Sequence, residues 1–262
     1  MIDKADQLIG DRQDEAISTA FTEIMAKRYD LRLDREVTGI GGSAGDLEIT
    51  LDDGSTVAAD MLLVATGRTS NSDRLDCSAA GIDTHDGRIK VDEFGRTTAA
   101  GVFALGDVST PVPLKHVANR EAKAVAHNLR HPEALRAVDH ELVPSAVFAN
   151  PQIASVGLTE SACRDRPGGY HVGTTPYSDV AYGWALQDDT GFCKVLTESD
   201  TDLIIGAHII GPQAATLIQI FVVAMEFAIK AGDLAQRPYW IHPALTEVVE
   251  NALVDLGPPS DG

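Results

Sequence analysis

The stretch Gly101-Val102-Phe103-Ala104-Leu105-Gly106-Asp107 reads as an apolar strand that stops at a glycine turn, with a carboxylate directly after it. In α/β sheets, ligands bind at the carboxyl ends of strands. Gly106 would let the backbone come close to such a ligand, and Asp107 would accept hydrogen bonds from sugar hydroxyls. An aspartate in an ordinary surface turn gives the same local pattern. Upstream, Met61-Leu62-Leu63-Val64-Ala65 is a continuous apolar run of the kind found in a strand covered on both faces. Thr66-Gly67-Arg68 ends it abruptly. Downstream, Leu114-Lys115-His116 opens a helix that runs to about Leu129 and stops at His131-Pro132. The free N–H groups at its start suit a ring oxygen or an anionic ring.

Working outward, Asp14 to Arg28 has Ile17, Phe21, Ile24 and Met25 at helical spacing. Leu47 to Leu51 alternates as a half-buried strand, and Asp53-Gly54 turns into Ser55-Thr56-Val57. Pro144 marks a domain boundary. Beyond it, strands are expected at Ala146–Phe148, Ile153–Val156, Phe192–Leu196 and Leu203–Ile210. A long apolar helix then spans about Ala214 to Ala231, with Gly232 as its C-cap. Strands grouped together and then helices imply an α+β domain with an antiparallel sheet. There is no internal repeat, and the tail Gly257–Gly262 is expected to be disordered.

Near the C-terminus stands His242-Pro243-Ala244-Leu245-Thr246-Glu247. Pro243 suits the first position of a helix, which puts His242 at the helix mouth and Glu247 about one turn in. A carboxylate on one imidazole nitrogen fixes the tautomer and makes an acid–base catalyst. The same pattern also occurs as a purely structural feature.

Composition narrows the function classes. Of 262 residues, 39 are acidic and 21 basic, giving a net charge of −18. Phosphate backbones need the opposite balance, so nucleic acid is excluded as a partner. No basic stretch suits an anionic membrane, and the N-terminus has no apolar signal region. The longest apolar stretch, Ala214 to Met225, is broken by Thr216 and Gln219 and is too short to span a bilayer. Cys77, Cys163 and Cys193 are far apart and odd in number. They suggest neither a disulfide framework nor a metal cluster, and they fit a reducing cytoplasm. Cys77 and Cys193 read as small buried apolar residues.

Four segments taken in order resemble the class I pyridine nucleotide–disulfide oxidoreductases. They are the turn Ala65-Thr66-Gly67-Arg68, the motif Gly101–Asp107, the pair Val147–Pro151 and Ala154–Thr159, and the dyad His242 and Glu247. Within that family, Phe21–Ile24, Gly106–Pro111, Leu114–Asn119, Trp240–Leu245 and Glu247–Leu253 are similar to the mycothione reductases. The resemblance implies an α/β plus α+β fold. Residues 1–66 would be the C-terminal part of an NAD(P)H-binding domain and residues 67–143 that of an FAD-binding domain, both Rossmann-like. Residues 144–262 would form the α+β dimerisation domain of a homodimer. It further implies that Asp107 binds FAD and that Leu114, Lys115 and Ala118 line the flavin ring. Ala65, Thr66, Gly67 and Arg68 would border NADPH. His242, held by Glu247, would be the acid–base catalyst for exchange with a small-molecule disulfide, in the flavin site of the other subunit.

The departures from that family are equally plain. The 262 residues contain neither the glycine-rich loop for the ADP part of FAD nor a C-x4-C redox pair. Gly39, Gly41 and Gly42 do not substitute, because no helix pattern follows them. The expectation is a chain with no disulfide reductase activity by itself. A non-catalytic dimerisation fragment and a dihydrolipoamide dehydrogenase-like enzyme using NAD are the alternatives. Residues 1–66 are also expected to leave sheet edges unpaired.

Overall fold

The computed structural model describes residues 1–10 and 13–257. Its contacts separate two units, one of Met1–Leu63 with Pro144–Gly262 and one of Val64–Val143. The first is built on a five-stranded antiparallel sheet of β6 (Ser145–Val147), β7 (Ile153–Gly157), β8 (Tyr170–Pro176), β9 (Phe192–Glu198) and β10 (Ile204–Ile210), in the order β6-β7-β10-β9-β8. The α+β domain expected beyond Pro144 is therefore present, and β8 is a strand that the Gly173-Thr174-Thr175-Pro176 segment concealed.

The period-two alternation of the strands gives the sheet two distinct faces. One carries Ala154, Val156, Cys193, Val195, Ala207 and Ile209, all essentially buried under α5 (Ala214–Glu226) and α7 (Glu247–Val254). On the other face, Ile153, Ile210 and Phe192 meet α1 (Glu15–Ala26), whose Ile17, Phe21, Ile24 and Met25 form the expected buried stripe. Each fully buried side chain of this kind contributes about 1.5–3 kcal/mol before entropy is subtracted. Beside that apolar row runs a polar one. Ser145, Ser155, His208, Lys194 and Thr174 are cross-strand neighbours in register across all five strands. Directly opposed residues share a face, so His208 and Lys194 lie on the side that α1 covers.

Several expectations are corrected. The long apolar helix is two helices: α5 ends at Glu226, Ala228 takes φ 49°, and α6 (Ala231–Gln236) follows. Gly232 is inside α6 rather than a C-cap, and its amide donates to Asp202 Oδ2 at 2.9 Å. Gly257 is ordered by reciprocal backbone bonds with Val172; the rest of the expected disordered tail lies outside the described residues.

Residues Val37–Ser43 (β1), Asp46–Leu51 (β2) and Thr56–Ala59 (β3) form a three-stranded antiparallel meander, with the Asp53-Gly54 turn as expected. Thr84–His85 (β4) and Arg88–Ile89 (β5) pair as a separate short hairpin, and Ala181–Ala185 (α4) is a short helix between β8 and β9. Gly39, Gly41 and Gly42 belong to β1. No other strand joins this sheet among the described residues, so β1 and β3 are open edges.

Neither apolar run near the two glycine turns forms a strand. Met61, Leu63 and Val64 are 86%, 86% and 66% exposed, in irregular backbone. Gly101–Leu105 makes one isolated bridge, Phe103 with Arg96. A strand needs a neighbour to take its backbone groups. None runs beside Met61–Ala65 among the described residues, and Val102–Ala104 meets only the short stretch Gly95–Thr97, through Thr97 N to Val102 O and Ala104 N to Gly95 O. Exposed apolar backbone without a ladder is a ready protease substrate. Limited chymotrypsin digestion should first cut between residues 61 and 65 and leave β6–β10 intact. First cuts within 145–210 would contradict this.

Candidate functional site

The unit Val64–Val143 gathers most of the residues assigned to nucleotide binding. Gly106–Val108 is a single 3-10 turn, and Gly106 has φ +72°. Its added Cβ would sit 3.5 Å from the Ala118 methyl, which places α2 (Lys115–Arg130) against the turn. Leu114 is the N-cap residue of α2, with extended backbone and no side-chain cap bond. The first-turn amides of α2 are therefore not closed off by a cap side chain. Lys115 is exposed, whereas Leu114 and Ala118 are half-buried. Arg68 Nη2 donates to Asp107 Oδ2, joining segments 39 residues apart. Ala65, Thr66 and Gly67 are exposed beside it in sequence, and Gly67 has φ +130°.

Glu121 was not anticipated and does the bracing. It is 5% exposed. Its Oε2 accepts the Gly106 amide at 2.6 Å, and His140 Nε2 donates to its Oε1 at 2.9 Å. A charge-assisted bond of this length fixes the turn that presents Asp107. One signal was available in sequence. Glu121 lies in the buried stripe Val117, Glu121, Val125 and Asn128 of α2, where a carboxylate needs a partner.

The dyad is formed, by a different local structure from the one expected. The His242-Pro243 peptide is cis, and α7 begins at Glu247, so Pro243 lies in turns before the helix. Trp240, half-buried, and Leu245, 3% exposed, pack into the core on either side and hold the loop. The Trp240 indole also donates to Ala235 O at 3.1 Å. His242 Nδ1 lies 2.8 Å from Glu247 Oε1, and Ala244 N donates to Glu247 Oε2 at 3.2 Å. A carboxylate only accepts, so Nδ1 carries the proton. Nε2 is left for chemistry on a ring that is 69% exposed. One helical turn on, burial and the Glu247 charge push the Glu250 carboxyl above its ordinary range.

The cysteines are all buried. Burial pushes the Cys163 and Cys193 thiols up, away from the reactive thiolate form. Among the described residues, no helix is long and apolar enough to cross a membrane.

Residues 143–253 match the family described as pyridine nucleotide-disulphide oxidoreductase, dimerisation domain. Residues 1–122 match pyridine nucleotide-disulphide oxidoreductase. Mycothione reductase of Mycobacterium tuberculosis is 49% identical over 247 residues, 93% of this chain and 54% of that protein. Glutathione reductase of Burkholderia cepacia is 32% identical over 246 residues, 93% of this chain and 54% of that protein. The chain thus spans about half the length of these curated relatives. The solved structure of LpdA from Mycobacterium tuberculosis superposes with a TM-score of 0.87 at 24% identity, over 97% of this chain and 55% of that one. At that identity it speaks for the fold.

Proposed function

The chain belongs to the pyridine nucleotide–disulfide oxidoreductases, and from that membership we propose that it is the C-terminal half of an NADPH-dependent, FAD-containing disulfide reductase of mycothione reductase type. The observation that carries the reading is the His242–Glu247 pair, at 2.8 Å with the ring open to solvent. The 49% identity to mycothione reductase favours a low-molecular-weight thiol disulfide as substrate. Residues 1–66 would be the end of the NAD(P)H domain, 67–143 the end of the FAD domain and 144–262 the dimerisation domain of a cytoplasmic homodimer. Exposed Phe227, Tyr239 and Ile241 support a partner subunit beside the dyad.

The donor set fits part of a flavin site. Asp107 Oδ2 is taken by Arg68, leaving Oδ1 to accept ribityl hydroxyls. The α2 start, without a cap side chain, offers amides at Lys115, with Leu114 and Ala118 beside it. Ala65 to Arg68 would border the nicotinamide nucleotide. When bound, the flavin supplies two-electron transfer from reduced nicotinamide to a disulfide. Glu121 holds the Asp107 turn in place, and His242 holds the proton that the departing substrate thiolate takes up. A buried Cys193 and a chain without C-x4-C offer no substitute for the redox cysteines.

The purified chain is expected to show no NADPH oxidation with mycothiol disulfide. Mixing it with a polypeptide carrying the glycine loops and C-x4-C of a mycothione reductase should restore disulfide-dependent oxidation. Turnover by the chain without that complement overturns the half-site reading. A complemented enzyme that prefers dihydrolipoamide overturns the substrate.

A further inference from the structure

The largest buried charge cluster among the described residues lies outside the dyad and the nucleotide turns. Asp14, fully buried, is the N-cap of α1. Its Oδ1 accepts the Ala16 amide at 3.2 Å and Lys194 Nζ at 2.7 Å. Its Oδ2 accepts the amide of Glu160 at 2.8 Å, the first residue of α3 (Glu160–Cys163). One carboxylate therefore closes the N-termini of two helices. Lys194, in the middle of β9, also pairs with Glu160 Oε2 at 2.6 Å, and Glu160 Oε1 accepts the Tyr170 hydroxyl of β8 at 3.2 Å. The pin crosses from residues 1–122, matched by one family description, to residues 143–253, matched by the other.

His208, on β10, sits in the same polar row, directly opposite Lys194 on β9 and Ser155 on β7. It is 1% exposed. Its Nε2 donates to Leu158 O at 2.9 Å, because a carbonyl only accepts. Nδ1 is buried without a hydrogen-bond partner. Ser155 is already paired with Ser145 at 2.9 Å. The charged and titratable groups facing this site are Asp14 from α1, Lys194 from β9, Glu160 and Cys163 from α3, and Tyr170 from β8. A proton on Nδ1 would create a buried donor without an acceptor, next to the Lys194 ammonium.

We infer that Asp14, Lys194 and Glu160 form a latch that pins α1 to the dimerisation sheet, and that proton uptake by His208 loosens it. Burial holds the His208 imidazole below its ordinary range; it outweighs the Asp14 carboxylate and the bond to Leu158 O, which act the other way, and Lys194 adds a smaller downward push. The sign follows. A closed state that refuses a proton is disfavoured as pH falls below the ordinary imidazole value of about 6.5, by up to about tenfold per pH unit. The opened state exposes α1 and the His208 ring, while β7, β9 and β10 keep their ladders.

Hydrogen exchange of the whole chain tests this, with rates corrected for intrinsic pH dependence. Between about pH 6.5 and 5, α1 protection (residues 17–26) should drop by about tenfold, with β9 and β10 amides unchanged. In His208→Gln, which cannot titrate, that drop should vanish. A second non-titrating variant, His208→Asn, serves if the first does not fold. Constant α1 protection in the unaltered chain overturns the inference. So do an equal drop in the variants and a loss of α1 and β10 protection together.

Discussion

Replacing His242 by alanine lowers disulfide turnover of the complemented enzyme by about 10²–10⁴-fold, the range of a positioned acid–base group and about 2.7–5.4 kcal/mol of barrier. The geometry sets the direction. Glu247 Oε1 fixes the Nδ1 proton at 2.8 Å, so Nε2 is the exchanging nitrogen, and the ring is 69% exposed to whatever approaches. Glu247 is itself held, since its Oε2 accepts the Ala244 amide at 3.2 Å. Glu247→Gln keeps an acceptor for Nδ1 but loses the charge, so its turnover should fall less than that of His242→Ala. In the proposed role the imidazole would serve the disulfide half-reaction and not hydride transfer to the flavin. Rapid-mixing absorbance of flavin reduction by NADPH should therefore be unchanged in both variants, while the disulfide half-reaction slows. A His242→Ala enzyme within roughly threefold of the parent, a difference of under 1 kcal/mol, would remove the dyad from the mechanism.

What the sequence disclosed depended on how local each feature is. The α1 stripe of Ile17, Phe21, Ile24 and Met25 follows from helical spacing and was read in full. Strands β7, β9 and β10 are dense in β-branched and apolar residues and announce themselves. The dyad was legible because its members lie only five positions apart in sequence. Its backbone was misread: a proline that suits a helix start instead lies in turns after a cis peptide. Met61–Ala65 has strand composition but no neighbour among the described residues, and Gly101–Leu105 finds only the short stretch Gly95–Thr97; composition cannot supply a full ladder. Arg68–Asp107 and Glu121–Gly106 join residues 39 and 15 apart, and Asp14–Lys194 spans 180. For the last, the trace in sequence was a lysine set between Cys193 and Val195 of an apolar strand. Alternation shows such a side chain pointing to the opposite face, but not to which partner.

That lysine carries the other large effect. Lys194→Met should lower unfolding stability by about 3–5 kcal/mol, the cost of removing one partner from a buried ion pair. Its side chain is 6% exposed and that of Asp14 is 1% exposed, so solvent screens the pair little. The lower end of the range is favoured, because Asp14 keeps the Ala16 and Glu160 amides as donors after the change. The pH dependence distinguishes a lost charge pair from lost packing. Burial would raise the Asp14 carboxyl, but hydrogen bonds from Lys194 and from the Glu160 amide outweigh it and the net shift is downward. Its contribution is thus present above the ordinary carboxylate range and lost as pH falls through the lowered value. Burial would lower Lys194, and its bonds to Asp14 and Glu160 outweigh that, so the net shift is upward. Its contribution is complete below the ordinary lysine value and lost as pH rises through the raised one. The stability difference between parent and Lys194→Met, from urea unfolding, should therefore be flat across neutral pH and shrink toward either extreme. Asp14→Asn in the Lys194→Met background relieves the uncompensated carboxylate and should recover part of the loss. A pH-independent difference, or no recovery in the double variant, would mean that methionine merely packs badly and that the charges contribute little.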